Sequence, residues 1–255
     1  MDNIENINYN DVAITFSEIF LKISEAIKGK SVNGDKQFYY SEKLLSKYFY
    51  HFLSAYYLTL NTKIDRINCD FIDAGSIATL IRAALENFLI FDHIYIQPND
   101  KSLSEFRFYS WWRSGLYSRQ KYPVFEKEHK LKILAEKNEI DALTLKLEAN
   151  PNFKFLNDSQ KTKFYKRCEW RFYSWRELII QAHFSNYFVN TIYSFLSGQA
   201  HSNSISVMQT WQIEQKDKME FVHSIMRILF IVNSFYIFNY MKLHPDSKKV
   251  LNEDD

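Results

Sequence analysis

The chain has 255 residues, with 32 basic against 30 acidic side chains and a formal net charge of +2, so no global electrostatic argument for nucleic acid or membrane follows. Only five glycines and four prolines punctuate it, too few for a barrel, a sandwich or a glycine-loop nucleotide fold of this size. Cys69 and Cys168 lie far apart without CxxC spacing, which argues against a disulfide or zinc framework and for a reducing cytosol.

Hydrophobic residues make up 46 % of the chain, with 22 Phe and 17 Tyr. A sizeable core is therefore available, although the bias toward Asn, Lys, Ile, Phe and Tyr also fits an AT-rich coding genome. Met1 to Asp11 is acidic and polar, so no secretory signal is expected. The most apolar window, Ile228 to Met241, contains Asn233, Ser234 and Asn239 and is too short to span a bilayer. The expectation is a soluble cytoplasmic protein with no membrane partner.

Helical periodicity dominates the chain. Val12, Phe16, Ile19, Phe20, Ile23 and Ile27 recur at three- and four-residue steps and end near Gly29. Ser41 is placed to cap a second helix bearing Leu44, Leu45, Tyr48, Phe52, Ala55 and Leu58. Asp73 is placed to cap a third that runs to about Ile96 and stops at Pro98. A fourth is predicted from Ser102 or Ser104 toward Tyr122, closed by Pro123. Residues 126–149 alternate in charge, the mark of an exposed helix or arm, and Asn150, Pro151 and Asn152 break it. One or two helices follow over 158–177, then one from Ser185 to about Ala200 and a last from Asp217 to Leu243, with a frayed tail at 252–255. No strand alternation survives counting. The predicted architecture is all-α, a multi-helix bundle forming one helical domain, with N-terminal helices in 1–70, core helices in 71–122 and 158–243, and an exposed helical arm at 126–149. The heptapeptides 105–111 and 169–175 are nearly identical (Glu-Phe-Arg-Phe-Tyr-Ser-Trp and Glu-Trp-Arg-Phe-Tyr-Ser-Trp). Duplication, shared packing and coincidence are all open, and the flanks do not support a solenoid.

Between Leu178 and Ile213 there is no Asp, Glu, Lys or Arg, yet Gln181, His183, Asn186, Asn190, Ser194, Ser197, His201 and Asn203 sit there. Uncharged, hydrogen-bonding segments suit a packed polar network, which is either a structural lock or a site. The third helix is apolar almost all round and hence central, but it carries Arg82 and Glu86 four residues apart, with His93 further along the same stripe. That pair reads either as a buried ion pair fixing register or as an arginine held ready for an anion. Asn190, Ser194, Ser197 and His201 step by four, three and four along a second face, where Gly198 loosens the last turn. His201 reads either as a satisfied structural imidazole or as a titrating group facing the first stripe.

The run from Ile192 to Ser202 (Ile-Tyr-Ser-Phe-Leu-Ser-Gly-Gln-Ala-His-Ser), preceded by Trp175 and by a helix bearing Arg82-x-x-x-Glu86, resembles a bacterial family of uncharacterised all-helical proteins, the DUF5677 type. Its pattern reads approximately as Tyr-x-x-Leu-Ser-x-x-x-His-x-Ser, and the resemblance spans roughly 73–203. It implies a helical domain without assigning an activity. A looser similarity is to HEPN domains, helical bundles that often form homodimers and cleave RNA without metal. Their signature places an Arg four to six residues before a His on one helix. Here residues 194–197 read Ser-Phe-Leu-Ser, so Arg82 supplies a guanidinium only from another helix.

Such cleavage needs a group that moves protons near neutral pH, which His201 offers, and a cation on the phosphate, which Arg82 offers. Glu86 would hold Arg82, and Ser197 would position one of the pair. No cofactor or metal is implied, since the histidines show no metal-ligand spacing. Six cations interleave with aromatics between Lys161 and Arg176. Lys163, Lys166, Arg167, Arg171 and Trp175 are the candidate RNA-binding residues there, against the alternative of an amphipathic helix with its aromatics inward and cations outward. Arg107, Arg113, Arg119 and Lys121 extend that pattern. Glu220, His223 and Arg227 form a further stripe that reads as a solvated edge. There is no Gly-x-Ser-x-Gly elbow or activated cysteine. The expected activity is a HEPN-like metal-independent RNase or toxin of bacterial defence. The alternative is a noncatalytic protein- or nucleic-acid-binding helical module in which the Arg, Glu, Ser and His groups form a structural network.

Overall fold

The computed structural model describes residues 8–28, 36–123, 125–201, 203–215 and 218–251. Within them the chain is helical apart from one antiparallel ribbon, an all-α multi-helix architecture. Gly29, Ser202, Asp217 and the tail 252–255, each used in the sequence reading, lie outside the described residues. In chain order the elements are α1 (Tyr9–Ile27), α2 (Lys36–Thr59), β1 (Thr62–Ile64), β2 (Cys69–Phe71), α3 (Ala74–Phe91), α4 (Lys101–Arg119), α5 (Lys127–Ala149), α6 (Asp158–Arg167), α7 (Trp175–Gln181), α8 (Ser194–Ala200), α9 (Ser204–Gln215) and α10 (Lys218–Leu243). Wide π turns occupy Asp92–Ile96 and Phe188–Tyr193, and short 3-10 segments close the remaining bends. The ribbon pairs Thr62 with Phe71 and Ile64 with Cys69, and it was not anticipated because three-residue strands are too short to show alternation.

The chain divides into two compact units, Met1–Asp92 with Ile179–Asp255, and His93–Leu178. The first is organised around α3, which packs on α2, α8 and α10. Asp73 caps it as expected, its side chain accepting from the Ser76 amide at 2.9 Å. Ile77, Ala78, Ile81, Ala84, Leu85 and Phe88 are fully buried, so this helix is apolar on most sides because it is central. Phe20, Tyr48, Phe52, Phe88, Phe91 and Tyr236 make the aromatic heart, with Phe91 stacked on Tyr236 at 4.7 Å. Two buried polar pairs thread it: Tyr48 donates to Asn233 Oδ1 at 2.6 Å, and Asn239 donates to Asp92 at 2.9 Å. Ser41 does not cap α2, which begins at Lys36. It is buried inside that helix, donates to the Phe38 carbonyl at 2.6 Å, and lies 2.9 Å from His244 Nε2. Its one proton is used, so the imidazole supplies the other. Burial draws the His244 imidazole down to about 4.

The expectation about membrane length is corrected. The last helix extends well beyond its apolar centre to 26 residues, and it and Ala74–Ile96 are long and apolar enough to cross a bilayer, with 56 % of each apolar window buried inside the protein.

The second unit is an antiparallel pair, α4 and α5, joined to α6 by Pro151–Phe155. Asp100, rather than Ser102 or Ser104, caps α4, accepting from the Leu103 amide at 2.8 Å, while the Ser104 hydroxyl serves the Ile94 carbonyl. The helix expected over 126–149 is present, but it is packed rather than free: Ile140, Leu143 and Leu147 are buried against α4-side aromatics, and Arg119 grips the buried Glu136. Arg113 points inward instead of outward. It is 3 % exposed, donates to Thr144 and to the Phe164 carbonyl, and lies 3.9 Å over the Phe164 ring.

The two copies of the heptapeptide fold differently. Residues 105–111 continue α4, whereas 169–175 run as irregular chain between α6 and α7. The difference comes from the flanks. Cys168 ends α6 in the left-handed region at φ 50, and Ser174 begins a new helix by exchanging bonds with Glu177, which lies three residues on. Ser110, its counterpart, is followed by Arg113 and stays inside a helix.

Candidate functional site

Arg82 and Glu86 lie one turn apart on α3, and their i,i+4 spacing closes a pair with Nε to Oε1 at 2.9 Å. The two side chains are 16 % and 24 % exposed, so the pair is largely removed from water and the guanidinium is held in one orientation. The second stripe descends through the π turn and α8. Asn190 and Ser194 are exposed, Ser197 is half-buried, and His201 is exposed at the end of α8.

The two stripes converge. Arg82 NH1 lies 3.0 Å from His201 Nε2. A guanidinium has only donors, so the contact is a hydrogen bond when Nε2 offers its lone pair and the ring proton sits on Nδ1. Tyr193 completes the group: its hydroxyl reaches the same Glu86 oxygen at 3.4 Å, and the Arg82 guanidinium lies 5.8 Å from its ring centre. Burial first, and then the Glu86 charge, raise the Tyr193 hydroxyl above its ordinary value against the pull of Arg82, so it acts as a proton donor. Tyr193 is buried and was given no role in the sequence reading, although it opens the run that carries the family resemblance.

Ser197 meets this group through its backbone. Its carbonyl accepts from the His201 amide at 3.2 Å, and among the described residues its hydroxyl makes no bond to Arg82, Glu86 or His201. Gly198 does more than loosen the turn. A Cβ there would stand 2.7 Å from Asn203 Nδ2, and Asn203 in turn caps α9 by accepting from the Ser206 amide. The missing side chain lets the chain fold back just after His201. His93 stands apart in the second unit. It is 2 % exposed, and Arg107 donates to its carbonyl at 2.7 Å.

The candidate RNA-binding residues all belong to the second unit. Lys166 and Arg167 are exposed on α6, with Arg167 3.5 Å from Glu169, and Lys163 is half-buried. Arg171 and Trp175 are also half-buried, the guanidinium lying 4.3 Å over the indole. The outward cations are thus those of α6, while Arg171 is spent on the aromatic beside it. In the first unit, the Glu220, His223 and Arg227 stripe is partly structural. His223 stacks flat on Tyr9 at 3.9 Å and Arg227 donates to the Tyr9 hydroxyl. Both Tyr9 and His223 line a cleft of about 640 Å³.

Among the described residues, no cluster of three or more His, Cys, Asp or Glu side chains is placed to hold a metal ion. Comparison of the chain with protein-family models, with curated proteins and with solved structures finds no match.

Proposed function

We propose that the first unit carries a metal-independent ribonuclease site formed by Arg82, Glu86 and His201, in a toxin or defence protein of the HEPN-like kind. The reading rests on one observation, the 3.0 Å approach of a held guanidinium to an exposed imidazole. Arginine matches a phosphate bidentately and stabilises the charge that builds on it, and histidine moves protons near neutral pH. When Arg82 turns to the phosphate, His201 Nε2 is released to take the proton of the 2′-hydroxyl. The 2′-oxygen then forms its bond to phosphorus as the bond to the 5′-oxygen breaks, and that oxygen takes a proton from water. The products are a 2′,3′-cyclic phosphate and a 5′-hydroxyl. Glu86 keeps the guanidinium aimed, Tyr193 keeps Glu86 in place, and Ser197 flanks the bound strand. Membership of the DUF5677-type family, a cytoplasmic location, a homodimer and RNA as partner belong to this same reading.

The test is incubation of the purified chain with RNA in EDTA beside His201→Ala. Cleavage by the wild type alone, with cyclic-phosphate ends, supports the site. Equal cleavage by both, or by neither, removes it.

A second reading is favoured by the mutual satisfaction of Arg82, Glu86, Tyr193 and His201. In it the group is a noncatalytic lock within a protein- or nucleic-acid-binding module. His201→Ala would then lower the melting temperature while no RNA-cleaving activity is found in either protein.

A further inference from the structure

The second unit contains a groove of about 430 Å³, the size of a small-molecule site. Its walls are unusual for a chain with five tryptophans in all, because Trp111 and Trp112 from α4 and Trp170 from the segment after α6 line it together, with Tyr122 at the rim. Trp111, Gly115, Ser118 and Tyr122 follow at steps of four, three and four and so share one stripe.

Gly115 is the informative residue. It lies inside α4, where glycine is less favourable than alanine, and a Cβ built there would meet nothing within 4 Å. Protein packing therefore does not require a glycine. What its missing side chain does is leave the floor of the groove open between the rings.

We infer that this groove binds unpaired nucleobases of a single-stranded RNA by stacking them on its indoles. The charge of the wall selects among ligands that like aromatic rings. A cage for an ammonium group would have a carboxylate facing it, whereas this lining has no acid and carries the guanidinium of Arg119. Cations flank it in sequence on both sides: Lys121 lies over the Tyr117 ring, and Trp170 falls between the exposed Arg167 and Arg171, whose guanidinium covers Trp175. Aromatic faces for bases with cations for phosphates is the arrangement that holds single strands without reading their sequence. Bases stacked in a duplex present no free face, so double-stranded RNA is excluded. The inference takes from the ribonuclease reading only the choice of polymer, and it concerns binding in a different unit from His201.

The test uses the full chain carrying His201→Ala, so that binding is measured without cleavage. A short fluorescent single-stranded RNA, the same sequence as a duplex, and a proline-rich peptide are titrated in turn while tryptophan emission is followed. Gly115→Phe fills the floor without meeting a neighbour, and Gly115→Ala adds only a methyl. The expected result is single-strand binding that quenches tryptophan, is about tenfold or more weaker in Gly115→Phe, the loss of one base stack, and persists in Gly115→Ala. Equal affinity for duplex, equal affinity in Gly115→Phe with its helix content intact, or binding of the peptide alone would each overturn the inference. Failure of wild-type protein to cut RNA would leave these titrations unaffected, so the two ideas fall separately.

Discussion

Arg82 and His201 stand 119 positions apart in the chain and meet at 3.0 Å. Each is brought there by a different device. Arg82 is fixed by a glutamate one turn away on the same helix, while His201 is carried on the last turn of α8 and turned by the fold-back that Gly198 permits. The arrangement gives the pair one rigid member and one exposed member, which is the division of labour expected of a phosphate clamp beside a proton carrier.

That division makes Arg82→Lys informative. A lysine keeps the charge but cannot hold Glu86 through Nε while another nitrogen reaches His201. Under the ribonuclease reading, cleavage falls by roughly 10²-fold or more, whereas the melting temperature shifts little. The comparison is of initial rates on a labelled RNA with thermal unfolding run on the same preparations.

Tyr48→Phe tests the buried polar pair in the aromatic core. The tyrosine and Asn233 are both fully buried, and the hydroxyl donates to Oδ1 at 2.6 Å. Removing the donor strands a carbonyl oxygen, a loss of about 1–3 kcal/mol. Urea unfolding should show it as a lower midpoint with an unchanged slope.

Acid sensitivity should come partly from His93. Burial, with the neighbouring Arg107 charge, holds its imidazole down to about 3 from an ordinary 6.5. As pH falls through the ordinary value the unfolded chain takes up a proton that the folded chain refuses. Stability is therefore complete above about 6.5 and declines toward 3, by at most about 1 kcal/mol for each pH unit crossed. His93→Gln should flatten that slope in denaturant titrations run across the window.

Gly115→Ala is expected to stabilise the protein by roughly 0.5–1 kcal/mol, because the helix gains propensity and the methyl meets no neighbour. A higher melting temperature is the readout.

Much of this was legible in the residues alone. The all-helical architecture followed from three- and four-residue spacing, and the Asp73 cap and the break at Asn150–Asn152 followed from local chemistry. The meeting of Arg82 with His201 was legible as two polar stripes in apolar surroundings, though only as a possibility. What escaped depended on distant partners. Ser41 has the chemistry of a cap but is used by His244 from the far end of the chain, and Arg113 looks like a surface cation until Thr144 and the Phe164 carbonyl arrive to receive it. The paired heptapeptides show the same limit locally. The box formed by Ser174 with Glu177 was present in the sequence as Ser-Trp-Arg-Glu, and it separates the second copy from the first. Tyr193 was missed because a strict 3.6-residue count does not anticipate the five-residue step of the π turn that carries the inward position from Phe188 to Tyr193.

That widened coil also sets an angular phase. Each residue of an ordinary helix advances the chain by about 100°, so deleting one residue between Phe188 and Tyr193 would let the segment wind at normal pitch and swing everything after it around the axis. His201 would then leave Arg82 with neither side chain altered.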